Sequence, residues 1–231
     1  MAYDKPIPIS THISELRSRV LYCFIFFIFF SIIGYLVSDY IISFLAKPYP
    51  DNLFFLSPTD MFMLVTKISL FFGLLVSLPI IIYHIWKFIA VMFNKKVKHS
   101  IFVYLVFSFF LLIISFFFAV KIIIPTGLQF LLNFGTNLAE PLVSINNYFS
   151  FVFTIILAFA ILFQLPIVLI FLIKTNILTV EMLSKNRRYV ILITFIVAAI
   201  LTPPDVFTQV ALAIPLLILF EISLLICRFF K

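Results

Sequence analysis

Polar side chains are scarce in this chain, and the few that interrupt its apolar runs are where any chemistry would have to occur. Gln164 lies about nine residues before Lys174 inside an apolar stretch, roughly 14 Å along a helix from that basic end. Gln209 and Glu221 interrupt a second run that also holds Pro215. Between two runs stands the hairpin tip Leu201-Thr202-Pro203-Pro204-Asp205-Val206, in which the prolines stop one helix and Asp205 can cap the next. Near the start, Glu15 stands close to Arg17 and Arg19, a surface acid suited to pairing with a guanidinium. None of these groups is set for covalent or metal chemistry. Four glycines leave no room for a phosphate-binding loop, and His12, His84 and His99 fall at run ends or in loops, where they cannot bracket a haem. No Cys/His spacing marks a metal site, and no Ser or Cys has a recognisable base. The expectation is a protein that is not an enzyme, carries no cofactor and binds no nucleic acid. What remains is hydrogen bonding and charge pairing. Gln164 can join two packed helices or dock a partner span, Glu221 can pair with a nearby Lys or Arg or receive a partner, and Asp205 reads first as a cap.

The elements that must position these residues are membrane helices. Of 231 residues, 65% are hydrophobic and 11% charged, with mean hydropathy +1.28, far from the balance of a water-soluble domain. The chain reads as one membrane domain, 1–231, with a polar amphipathic head over 1–20 lying on the membrane surface. Spans follow at about 21–37, 63–84, 100–120, 151–173, 189–202 and 206–227. The fifth is short and the sixth is interrupted, so together they would thin the bilayer locally. Two long connections, 38–62 and 121–150, are apolar enough to pack as caps, the second carrying a short surface helix after Pro125. Thirteen of the 16 Lys and Arg fall in the head, the 85–99 loop, the 174–188 loop and the tail. That asymmetry places both termini inside and makes the span count even. Cys23 and Cys227 lie on that same reducing side, which argues against a disulfide. No cleavable signal peptide is apparent.

At this point the motifs carry a resemblance. His12-Ile13-Ser14-Glu15-Leu16-Arg17-Ser18-Arg19 is similar to the H-x-x-E-L-R-x-R head of the TatC family, the multispanning receptor subunit of the twin-arginine protein translocase. Leu56-Ser57-Pro58-Thr59-Asp60-Met61-Phe62 resembles the family's segment before its second span, and Tyr83-His84-Ile85-Trp86-Lys87-Phe88-Ile89-Ala90 its Y-x-x-W-x-F-I-A motif. Phe163-Gln164-Leu165-Pro166 stands where the family has F-E-x-P. Leu201 to Gln209, Ala213-Ile214-Pro215 and Phe220-Glu221 complete an ordered series over nearly the whole chain. The resemblance implies an all-α bundle of six spans, concave and glove-like, with two outer capping loops. It implies a site for twin-arginine signal peptides at Glu15, Leu16, Arg17, Phe88, Lys95 and Lys96. It implies docking of single-span TatA- and TatB-like partners around Gln164, Thr202, Pro203, Pro204, Asp205, Gln209 and Glu221, and an outer cap with Pro48, Pro58 and Asp60. Self-association and a proton gradient as the energy source are implied as well.

Two departures stand out. Aligned on Phe88-Ile89-Ala90, the position of the family's second carboxylate in the first inner loop is Val97 here, among Lys95, Lys96 and Lys98. Gln164 replaces the family's Glu, which keeps hydrogen bonding and removes a protonation role. The Phe and Ile bias favours an organelle, so the expected membrane is the mitochondrial inner membrane or the thylakoid ahead of a bacterial inner membrane. The competing reading is a proton-coupled small-solute carrier or a structural subunit of a respiratory complex. A carrier predicts an inverted repeat with broken helices in both halves, and none is evident.

Overall fold

The computed structural model describes residues 9–49, 53–92, 101–133, 142–174, 177–201 and 206–229. Helix α1 runs unbroken over Ile9–Leu36, about 42 Å at the standard rise. The head expected to lie on the membrane surface and feed the first span is thus helical and continuous with that span from Ile9 on. Helix α2 (Ser38–Ala46) follows, and then α3 (Asp60–Met92) returns along α1 for 33 residues, with Pro79 inside it. The two rods touch closely because glycine stands at the crossing. A Cβ on Gly73 would lie 2.0 Å from Ser31 Oγ, 2.8 Å from Ser31 N and 2.9 Å from Phe27 O. Gly34 is similarly pressed on Phe72. Small residues that let backbones approach are how apolar helices associate where water supplies no hydrophobic drive.

The third rod is α4 (Ile101–Phe118), a π-helical turn over Ala119–Ile123, and α5 (Ile124–Asn133). Pro125 has no N–H to donate and its ring would strike a carbonyl one α-turn back. The wider turn, with Ile124 N–H donating to Ala119 O, relieves that conflict and lets the rod continue. The expected separate surface helix after Pro125 is thus an extension of the third span. The fourth rod breaks at Phe163–Gln164 between α6 (Ile145–Leu162) and α7 (Leu165–Lys174), beside Pro166. Helix α6 is the centre of the molecule: Tyr148, Phe149, Val152, Ile155, Ile156 and Phe159 are all essentially inaccessible. A short α8 (Val180–Lys185), α9 (Arg187–Leu201) and α10 (Val206–Phe229) complete the chain, α10 holding Pro215.

Among the described residues five helical rods are long and apolar enough to cross a membrane: Ser14–Leu36, Asp60–Ile85, Val103–Asn133, Ile145–Lys174 and Gln209–Arg228. The expected short fifth span is α9, whose 15 residues reach only about 22 Å. The two long connections meet at one end of the bundle. Phe54 forms a parallel bridge with Ser144, its N–H donating to Val143 O at 3.2 Å and its carbonyl accepting from Ile145 N at 3.0 Å. Asp60 accepts from Leu56 N and Ser57 N through one oxygen and from Asn146 Nδ2 at 2.8 Å through the other. Tyr148, beneath them, donates to Leu45 O at 2.6 Å and meets Tyr49 edge to face.

Candidate functional site

Helical spacing decides what the head presents. Glu15, Arg19 and Tyr22 recur at i, i+4 and i+7 and turn toward α3, while Leu16, Arg17 and Val20 point outward. Arg19 is 8% exposed, unusual for a cation. Its Nη2 donates to Glu15 Oε1, one turn earlier, and its Nη1 donates to the carbonyl of His84 on α3 at 3.3 Å. The Tyr22 ring stacks on His84, with centroids 6.2 Å apart and planes 14° apart. Tyr83 meets His84 edge to face, and Lys87 lies over the Tyr83 ring. Arg19 therefore joins the head motif to the tyrosine–histidine end of α3. The resemblance places Glu15 in the site and assigns Arg19 no role there. The i+4 spacing from Glu15 was the available signal.

Glu15 remains half-buried, with its side chain 37% exposed. Arg17 lines a shallow surface cleft with Ser14, Ser18, Leu21 and Tyr22. Phe88 lies in the last turns of α3, and nothing of its side chain is described. Lys95, Lys96 and Val97 lie outside the described residues.

The intramembrane polar position is closed. Gln164 is buried at the α6–α7 break, accepts from Ser108 Oγ at 2.7 Å and returns a bond from its Nε2 to Ser108 O at 3.3 Å. Helix ends leave carbonyls and N–H groups unfilled, and a break in mid-rod creates both at once. The Gln164 backbone carbonyl takes Ile167 N and Val168 N across the break. Of the two roles open to Gln164 in the sequence, the structure displays the interhelical bond. Ser108 was not anticipated, since a lone serine in an apolar run carries no distinguishing pattern.

At the α9–α10 edge, Gln209 Nε2 donates to Phe195 O at 3.0 Å, and Glu221 pairs with Arg187 at 3.1 Å, both ends of that pair near 45% exposed. Thr202, Pro203, Pro204 and Asp205 lie outside the described residues. At the opposite fastening, Asp60 is bonded as above, Pro48 is half-buried before Tyr49, and Pro58 is exposed. Among the described residues these polar groups thus fall into four separate clusters rather than one pocket.

Comparison with known proteins resolves what such an arrangement belongs to. The family model for TatC, the Sec-independent protein translocase protein, matches residues 11–215. This chain belongs to the TatC family. Its relatives include the TatC proteins of Carboxydothermus hydrogenoformans, 35% identical over 99% of this chain and 96% of that protein, and of Aquifex aeolicus, 39% identical over 94% and 93%. The Escherichia coli TatC is 34% identical over 100% of this chain and 92% of its own. A crystal structure of the twin arginine translocase receptor TatC in DDM superposes with TM-score 0.84 at 39% identity, covering 93% of this chain and 98% of that one. As a TatC-family protein, the chain is a multi-pass core subunit of the Sec-independent translocase, and its work is transport rather than catalysis. These relatives are bacterial, so the organelle expected from composition gains no support.

Proposed function

We propose that this TatC-family chain is the signal receptor of its translocase, receiving the paired arginines of a signal peptide at the α1 head and the end of α3. The seating of Glu15 carries the reading. This half-exposed carboxylate already holds a guanidinium, and that guanidinium is also held by a backbone carbonyl. Carboxylate plus carbonyl is a sufficient cradle for an arginine, whose planar donors satisfy both. It also suits a chain with Val97 in place of a second acid. Leu16 and Arg17 border the cradle, and Phe88, Lys95 and Lys96 belong to it by their position in the motif.

In this reading the α9–α10 edge, from Thr202 through Pro203, Pro204, Asp205 and Gln209 to Glu221, docks single-span TatA- and TatB-like partners. Gln164 serves that function indirectly, by holding the broken rod behind it. Helix α9 is the short fifth of six spans, which returns both termini to the inner side and matches the Lys and Arg excess there. The bundle is a concave glove, with Pro48, Pro58 and Asp60 in its outer cap. Copies of the chain associate, and a proton gradient drives transport across a bacterial inner membrane.

Site-specific photocrosslinking in the full-length chain tests both halves. A crosslinker at Leu16, exposed beside Glu15, should capture a twin-arginine precursor and lose it with Glu15→Gln. A crosslinker at Ile196, which is 49% exposed on α9, should capture a small single-span protein. Equal labelling of Leu16 by Arg-Arg and Lys-Lys precursors, indifferent to Glu15→Gln, would sink the receptor reading.

A further inference from the structure

We propose that Arg19 is an internal competitor for the signal: it occupies the Glu15 carboxylate in the resting receptor, and a signal arginine binds by taking its place. The inference rests on the receptor reading of Glu15 and adds an occupant to that site. Three observations carry it. The bound group is the same chemical species as the incoming one, a guanidinium. It sits within the head motif itself, four residues from the acid, so its effective concentration is fixed by the helix. Its fit is incomplete, because the buried Arg19 Nε meets no acceptor among the described residues, nor does Nδ1 of the neighbouring His84. A buried donor without an acceptor weakens the resting arrangement. An arginine approaching the exposed side of Glu15 can exchange with Arg19 at the carboxylate, while Arg19 keeps the His84 carbonyl or turns outward.

Competition of this kind has a specific thermodynamic signature. An occupant that must leave lowers the apparent affinity of every ligand for the site by one common factor, the fraction of receptor with Glu15 unoccupied. It does not alter the ratio between two ligands. Arg19 would therefore set a threshold: a twin-arginine peptide still binds, and a weaker twin-lysine peptide is pushed below useful affinity.

The test is peptide binding to the full chain in mild detergent, by fluorescence anisotropy with synthetic signal peptides carrying Arg-Arg or Lys-Lys. For Arg19→Gln, which cannot form the ion pair, both affinities should rise by the same factor, about three- to tenfold for releasing a partly exposed pair. The Arg-Arg to Lys-Lys ratio should stay at its wild-type value. Unchanged affinities, a fall in both, or a changed ratio would overturn the competitor and leave Arg19 as a structural or peptide-contacting residue. Arg19→Lys, which keeps a cation over Glu15 with fewer donors, should fall between and guards against misfolding of the first variant. If it too fails to bind although its melting temperature is normal, the proposal is lost. Glu15→Gln separates the two levels of inference. Wild-type affinity in that variant removes the receptor reading and the competitor with it. Lost binding there, with no gain in Arg19→Gln, removes the competitor alone.

Discussion

The α1–α3 pair and the α9–α10 pair are both antiparallel helix pairs, yet they are held in opposite ways. The first is long and closed: glycine contacts bring the backbones together in mid-rod, and a buried arginine ties the two motifs at one end. The second is short on one side and lightly fastened. Among the described residues its ties include the amide bond from Gln209 to Phe195 and the nearly half-exposed ion pair of Arg187 with Glu221. Interhelical polar bonds in membranes contribute about 0.6 kcal/mol on average, and exposed ion pairs less than about 1. The lesson is that polar residues in two antiparallel pairs do different work. At α1 they fix a structure, and at α9 they leave an edge that a further helix can join.

The largest effect that would break this contrast is at the α1–α3 crossing. Gly73→Leu forces a side chain into Ser31 and the Phe27 carbonyl, so folded protein should be largely lost, with a cost of about 3 kcal/mol or more. Yield of monodisperse protein and its melting temperature in detergent would register it. Adding Ser31→Gly should rescue only part, because backbone atoms at 2.8 and 2.9 Å remain in the way.

Next in size is the buried Gln164–Ser108 pair. Gln164→Leu strands the Ser108 hydroxyl and should cost about 1–2 kcal/mol, most of it recovered in the double variant with Ser108→Ala. Gln164→Glu, which loses the amide donor to the Ser108 carbonyl, should cost a similar amount, read as a lower melting temperature in detergent. Smaller still, Gln209→Leu should leave global melting nearly unchanged while speeding amide exchange in α9, by less than about 1 kcal/mol of local protection. Smallest is Glu221→Gln, expected to shift stability by a few tenths of a kcal/mol. A large loss from either of these last two would mean the edge is a fixed part of the bundle.

Much of this was legible in the chain, because apolar runs and basic loops report membrane helices directly. The family was legible too, from motifs whose order survives along the chain. Rod lengths were less so. Pro125 reads as a stop, and only the π turn before it shows how the third rod continues to Asn133. The head reads as polar and superficial because Arg17 is exposed, whereas the inward turn of Arg19 depends on where α3 ends. Contacts such as Ser108 with Gln164, 56 residues apart, belong to packing and leave no periodic trace.

The bridge between Phe54 and Ser144, with the bond from Asn146 to Asp60, acts as a hinge pin. It joins α3 to α6 at the cap end, and Phe71 stacked on Phe153, with centroids 4.3 Å apart, holds the two rods together further along. Any tilt of α3 about the pin must therefore shift that ring pair and the Gly73 contact with α1 as well. From Asp60 to His84 is about 24 residues, or about 36 Å, so a tilt of about 5° would carry the carbonyl that Arg19 reaches by about 3 Å. Leverage, rather than any deformation of the cap, would turn the exchange of one side chain into a displacement at the far side of the bundle.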